Sequence, residues 1–105
     1  MNRLQILQDF YEQDPTDPFN IYGLALEYQK HDSLKSIDLF NVLMTNFKEY
    51  LATYYIAAKL HEEMGLEEKA LVIYKNGILI AQSQKNTKTE NELKNALINL
   101  EMEML

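Results

Sequence analysis

Apolar residues recur every three or four positions along most of the chain, and this spacing predicts helices rather than strands. The clearest stretch runs from residue 50 to residue 81 and predicts two helices joined by a tight turn at Gly65 and Leu66. Glycine ends a helix well because it adopts the left-handed conformation of a C-terminal cap at little steric cost. The predicted packing faces are Tyr50, Leu51, Tyr54, Ala57, Ala58 and His61, then Ala70, Ile73, Tyr74, Gly77, Ile78 and Ala81.

The chain before this stretch predicts three more helices. Residues 2–13 are expected to form a leading helix that ends at Asp14, because the helical backbone conformation is disfavoured for a residue that precedes proline. Asp17 is the expected N-cap of the second helix, with Pro18 in its first turn. Asp32 is the expected N-cap of the third, which runs to about Thr45. The apolar face of the leading helix is Leu4, Leu7, Phe10 and Tyr11.

The polar stretch from residue 82 to residue 91 predicts a loop before one last helix. Thr87 with Glu90, and Thr89 with Glu92, each match a capping box, so the start is fixed only to within a few residues. The chain thus predicts six helices and no sheet. The apolar positions of the last helix are Leu93, Ala96, Leu97, Leu100 and Met104.

The two central helices resemble the tetratricopeptide repeat, a helix-turn-helix unit of 34 residues. His61 stands where that family usually has an aromatic residue, and Gln82 where it often has proline. A second copy lies upstream, and Ser36 and Ala70 occupy equivalent positions 34 residues apart. The matching residues are Tyr54, Ala57, Ala58, Gly65, Ala70, Tyr74 and Gly77 in one copy, and Leu24, Ala25, Tyr28, Ser36, Phe40 and Leu43 in the other.

This resemblance implies an all-α fold of antiparallel helix-turn-helix repeats in a single domain, residues 1–105. We expect a leading helix over residues 1–15, repeats over 18–48 and 49–84, and a capping helix over 87–105. Each repeat exposes an apolar edge where a neighbour is missing, so the end helices are expected to cover it. The alternative for the last helix is a dimer contact, because Ile98, Met102 and Leu105 lie outside its apolar face.

Composition excludes several classes of function. The chain has no cysteine, which excludes disulfides and thiolate metal sites. Its net charge of −6 disfavours binding to nucleic acid or to an anionic membrane surface. The N-terminus lacks the apolar run of a secretory signal, and no stretch is long enough for a membrane span. A cytoplasmic location is therefore expected.

No motif for catalysis, metal or cofactor is present. His61 has no second histidine four positions on, so the helical zinc motif is absent and a packing role is expected. His31 is expected in a solvated turn. The three glycines form no phosphate-binding loop, and the paired carboxylates are expected to be solvated. We therefore expect a protein that is not an enzyme and binds no cofactor.

In tetratricopeptide proteins the first helix of each pair lines a concave groove for peptides or helices, so the resemblance implies a protein or peptide partner, or another copy of the chain. Tyr22 and Tyr55 are favoured, since tyrosine is enriched where binding energy concentrates. The equally weighted alternative is that they pack, under the leading helix or onto each other. By position the groove residues would be Phe19, Tyr22, Leu26, Gln29, Tyr55, Lys59, Glu62 and Glu63.

One type of ligand is not expected. Chaperone-binding members of the family hold a C-terminal carboxylate with cationic and amide side chains on the first helices. The equivalent positions here carry Tyr22, Leu26 and Ile56, which cannot supply those donors.

Overall fold

The structure, a computed structural model, describes residues 1–105 and contains six helices and no strand. The chain forms two compact units, unit 1 over Met1–Tyr50 and unit 2 over Leu51–Leu105. The predicted six-helix, all-α architecture is therefore confirmed. The helices are α1 (Arg3–Gln13), α2 (Pro18–Tyr28), α3 (Ser33–Asn46), α4 (Ala52–Glu63), α5 (Glu67–Ser83) and α6 (Thr87–Glu103).

In unit 1, α2 packs against both α1 and α3. The core forms where small residues let α2 and α3 approach: Ala25 and Ser36 are completely buried, and the Ser36 hydroxyl donates to the Ala25 carbonyl at 2.7 Å. Phe40 and Leu43 of α3 are also completely buried. Phe10 of α1, predicted to pack, is instead 50% exposed. The main core of unit 1 is thus the α2–α3 hairpin.

Short polar side chains start the helices of unit 1. Asp17 accepts from the Phe19 amide at 2.9 Å, and Asp32 accepts from the Leu34 amide at 3.1 Å, so both predicted N-caps are confirmed. Asn2 and Gln5 form a reciprocal capping box at the start of α1, which the sequence analysis did not predict. These caps satisfy amides that have no partner inside a helix.

In unit 2, the turn between α4 and α5 has the predicted glycine cap. Gly65 has a φ of 76°, its amide donates to the Glu62 carbonyl at 3.0 Å, and the Leu66 amide donates to the His61 carbonyl at 2.8 Å. This pair of bonds is a Schellman motif. All six predicted packing residues of α5 are buried, whereas Tyr50 and Leu51 precede α4 and are only half-buried.

Helix α6 begins at Thr87, within the few residues that were predicted, but its N-cap is not one of the two predicted threonines. Asn86 is the N-cap and accepts from the Thr89 amide at 3.1 Å, whereas Thr87 already lies in the helix. The Glu90 carboxylate bonds to Gln82 and Lys94 instead of reaching back to the backbone. Helix α5 continues to Ser83, so only residues 84–86 connect the two helices. Asparagine caps a helix as well as threonine does, and here it is nearer the turn.

Helices α4 and α5 approach each other closely at Gly77. A Cβ atom at Gly77 would lie 2.6 Å from the Tyr54 Cβ and 3.1 Å from the Leu93 Cδ1. Only glycine fits there, because side-chain carbons do not approach so closely. Leu93, Ala96 and Leu100 bury the inner face of α6, whereas Leu97 is half-buried and Met104 is 38% exposed.

Candidate functional site

The predicted groove residues of unit 1 lie in α2 and just after it, and they differ in exposure. Phe19 is 69% exposed, Leu26 and Gln29 are half-buried, and Gln29 caps the C-terminus of α2. Tyr22 is also half-buried. Phe19 is therefore the most accessible apolar side chain of this set.

Tyr22 belongs to an aromatic cluster with Phe40 and Tyr50. Its ring centroid lies 6.3 Å from that of Phe40 in an edge-on arrangement and 5.6 Å from that of Tyr50. Burial, with a smaller effect from Tyr50, raises the pKa of Tyr22, and burial together with Asp17 raises the pKa of Tyr50. Both hydroxyls thus stay neutral at physiological pH. Tyr22 thus packs against Phe40 and Tyr50, and neither contact was predicted.

In unit 2, Tyr55 and Lys59 of α4 face α6 across a cavity of about 260 Å³, which we call the α4–α6 cavity. Tyr55 is 37% exposed. The α6 side of the cavity presents Glu92, Asn95, Ala96 and Asn99. These residues were not predicted, because α6 was expected to be a cap or a dimer contact and not a wall of the groove. Their signal was polar residues one helical turn apart beside the apolar face.

A chain of contacts holds Tyr55 and Lys59 in place. The buried Tyr74 hydroxyl donates to the Glu62 carboxylate, and the Lys59 Nζ lies 3.7 Å from the same carboxylate. The Lys59 Nζ is also 5.8 Å from the centroid of the Tyr55 ring, which lies edge-on to the Tyr74 ring at 6.4 Å. Burial, followed by the hydrogen bond to Glu62, strongly raises the pKa of Tyr74.

These contacts separate the two predicted groove glutamates. The Glu62 side chain is only 16% exposed and is already bonded, so it positions Lys59. Glu63 is exposed to solvent. An aromatic ring, an ammonium, a carboxylate and two carboxamides therefore line the α4–α6 cavity, a set that can form hydrogen bonds, ion pairs and cation–π contacts.

The two histidines have structural partners. His61 is 3% exposed, and its Nδ1 donates to the Ala57 carbonyl at 2.6 Å, because a carbonyl can only accept. The His31 Nε2 lies 3.4 Å from the Glu27 carboxylate in unit 1. No three side chains of the metal-binding types gather closely enough to hold an ion. None of the six helices combines the length and apolar character that crossing a membrane requires.

Comparison with known proteins relates the chain to solved structures. It matches the solution NMR structure of a tetratricopeptide repeat domain protein from Salinibacter ruber with a TM-score of 0.80 and 36% identity, over 84% of this chain and 90% of that chain. The crystal structure of a tetratricopeptide repeat domain protein from Salinibacter ruber matches with a TM-score of 0.77 and 34% identity, over 81% and 97%. No family model and no curated protein sequence matches the chain.

Proposed function

The chain belongs to the tetratricopeptide repeat family, whose helical repeats generally serve protein interaction, and on this premise we propose that it is a non-catalytic adaptor. It binds a peptide or helix of another protein through the first-helix faces of its repeats.

The observation that best supports this proposal is the α4–α6 cavity. It offers Tyr55, which is partly exposed and held by the Tyr74 ring, together with Asn95 and Asn99 as uncharged donors and acceptors. A rigid aromatic side chain loses little conformational entropy on binding, so it contributes affinity efficiently. In unit 1, the exposed ring of Phe19 is a separate candidate contact on the first helix of the other repeat.

Selection from a random peptide library against the purified chain tests the proposal. We expect enriched peptides whose binding, measured by calorimetry, falls at least about tenfold on Tyr55→Ala, as for an aromatic interface anchor. Leu79→Ala in α5 is the matched control, because Leu79 is 63% exposed and does not line the α4–α6 cavity. Absence of enriched peptides, or equal losses in both variants, would contradict the proposal.

A second candidate function is self-assembly, and one surface favours it. Ile98 and Met102 of α6, together with Leu105 just beyond its end, form an exposed apolar stripe, which we call the α6 stripe. An exposed stripe of this kind is typical of an interaction surface. Leu97 is half-buried and is a poorer probe of this surface.

The solution mass across a concentration series separates the two candidates. Under the adaptor proposal the chain stays monomeric, and Met102→Glu changes nothing. Under self-assembly the chain forms a dimer that Met102→Glu disrupts, while Tyr55→Ala leaves it intact. Light scattering after size exclusion gives both readings on the same samples.

A further inference from the structure

Unit 1 contains a cavity of about 330 Å³ among α1, α2 and α3, which we call the α1–α3 cavity. Its α2 side is Leu24 and Tyr28, which lie one helical turn apart. Tyr22 and Leu26 of the predicted groove lie on the opposite side of α2, since each residue turns about 100° around a helix. The α1–α3 cavity is therefore separate from the proposed peptide groove.

Two tyrosines and two leucines form the body of this cavity. Leu24 is 3% exposed, whereas Tyr11, Tyr28 and Leu39 are half-buried. The Gln8 amide donates to the Tyr28 hydroxyl at 2.7 Å, which fixes that ring and leaves the phenolic proton available for a ligand. A volume above about 300 Å³ is within the range of ligand pockets. The body thus suits the apolar stem of a long side chain.

The polar rim of the cavity is mainly acidic. It carries the carboxylates of Glu12 and Asp38 and a single ammonium, that of Lys35. Neither carboxylate takes part in a salt bridge within the chain. Unit 1 as a whole has eight acidic and four basic residues, a net charge of −4. This field attracts a cation and repels an anion.

The cavity already holds one cation of its own. The Lys35 Nζ lies 5.5 Å from the centroid of the Tyr28 ring, so that ring face accepts a positive charge. A guanidinium suits the same place better than an ammonium, because it is planar, stacks on aromatic rings and can pair with two carboxylates. We propose that the α1–α3 cavity binds an arginine side chain of a partner protein segment, which displaces Lys35 from Tyr28 and pairs with Glu12 and Asp38.

This site differs from the groove in location and in ligand, so it does not depend on the proposed adaptor function. The probe is a blocked Gly-Arg-Gly peptide, titrated into the ¹⁵N-labelled full chain and followed by NMR. The comparison probes are blocked Gly-citrulline-Gly, which has nearly the same shape without the charge, and blocked Gly-Glu-Gly. We expect chemical-shift changes around Gln8, Tyr11 and Tyr28 with the arginine peptide alone.

Three variants test the proposal, and two of them should change the affinity in opposite directions. Combining Glu12→Gln with Asp38→Asn should weaken binding about tenfold, since two exposed charge pairs are lost. Lys35→Ala should strengthen it about threefold, since the competing cation is removed. A role of these side chains only in folding would not produce opposite changes. Glu101→Gln is the matched control, because it removes an exposed carboxylate of unit 2 that lines neither the α1–α3 cavity nor the α4–α6 cavity.

Equal shifts with citrulline would overturn the proposal, as would binding of the glutamate peptide through Lys35. Shifts confined to unit 2, or a Lys35→Ala variant that binds more weakly, would overturn it too. Circular dichroism of each variant establishes that it is folded. Glu12, Asp38 and Lys35 are all exposed, so their replacement should leave the fold intact.

Discussion

Helices α1 and α6 each pack against one helix of a hairpin, but they are held by different forces. Helix α6 completely or almost completely buries Leu93, Ala96 and Leu100, whereas no residue of α1 is fully buried. Helix α1 instead makes polar contacts, such as the 3.1 Å pair between Arg3 and Glu27. A buried leucine contributes about 2 kcal/mol, but an exposed ion pair contributes about 0.5 kcal/mol. Helix α1 is therefore the more weakly attached.

The largest expected effect comes from truncating this apolar attachment. Leu100 is 1% exposed, and Leu100→Ala should lower the free energy of unfolding by about 3 kcal/mol, because it leaves a cavity under α6. Leu7 of α1 is half-buried, so Leu7→Ala should cost about 1 kcal/mol. Urea denaturation of both variants measures the difference.

Hydrogen exchange of the unmodified chain provides an independent check. The amides of α1 should exchange faster than those of α6, because local opening of α1 exposes little apolar surface. If Leu7→Ala costs as much as Leu100→Ala, or α1 is protected as well as α6, the contrast between the two helices is wrong.

The two helical glycines repeat this contrast on a smaller scale. Gly77→Ala should destabilise the fold by about 2 kcal/mol, because its methyl group would overlap Tyr54. At Gly23 the nearest atom to an added Cβ is the Leu7 Cδ2 at 3.5 Å, an ordinary contact. Gly23→Ala should therefore be neutral, or stabilising by up to about 1 kcal/mol through helix propensity. Thermal or urea unfolding of both variants decides the matter.

A destabilised Gly23→Ala would mean that α1 packs on α2 as tightly as α4 packs on α5. A neutral Gly77→Ala would require Tyr54 to move away at no cost. Either result would show that tight packing at the helical glycine does not distinguish unit 2 from unit 1.

The sequence predicted what periodicity and backbone geometry dictate. The packing residues of α5 follow from their spacing, and the turn follows from Gly65, because few residues other than glycine adopt a positive φ. The N-cap at Asn86 could not be distinguished from candidate N-caps at Thr87 and Thr89, because asparagine and threonine both cap helices. Local patterns of this kind leave a helix start uncertain by a few residues.

Contacts between distant residues were beyond the sequence pattern. The bond from Tyr74 to Glu62, a predicted groove residue, joins two helices, so the spacing along one helix could not show it. Asn95 and Asn99 look like ordinary surface residues until α4 is placed opposite them. The binding role of the predicted groove residues stays a prediction, since neither fold nor comparison tests it.

The polar attachment of α1 depends on pH through Glu27. Its side chain is 8% exposed and contacts Arg3, Lys30 and His31. Burial alone would raise the pKa of Glu27, but the hydrogen bonds with His31 and Lys30 and the charges of Lys30 and Arg3 together lower it. Because the folded-state pKa is below the unfolded-state value of about 4.3, the carboxylate stabilises the fold above that pH.

Glu27→Gln should therefore destabilise the chain near pH 7, by less than Gly77→Ala, because Arg3 and Lys30 are exposed and screened by solvent. As the pH falls through the folded-state pKa, the difference from the unmodified chain should disappear. Urea denaturation at a series of pH values measures it. A difference that persists in acid would show that the carboxylate charge is not what holds Arg3.

The smallest expected effect comes from two buried hydroxyls, one in each unit. Ser36 in unit 1 is completely buried and donates to the Ala25 carbonyl, whereas Thr53 in unit 2 is 1% exposed and its hydroxyl has no partner. Ser36→Ala should cost about 1 kcal/mol, because the Ala25 carbonyl loses its donor. Thr53→Val, which keeps the shape of the side chain and removes the hydroxyl, should stabilise the fold by up to about 1 kcal/mol.

Opposite shifts of the urea midpoint in the two variants would show that a buried hydroxyl stabilises the fold only where the neighbouring helix supplies a hydrogen-bond partner. A loss on Thr53→Val would instead reveal a partner for that hydroxyl, such as a bound water.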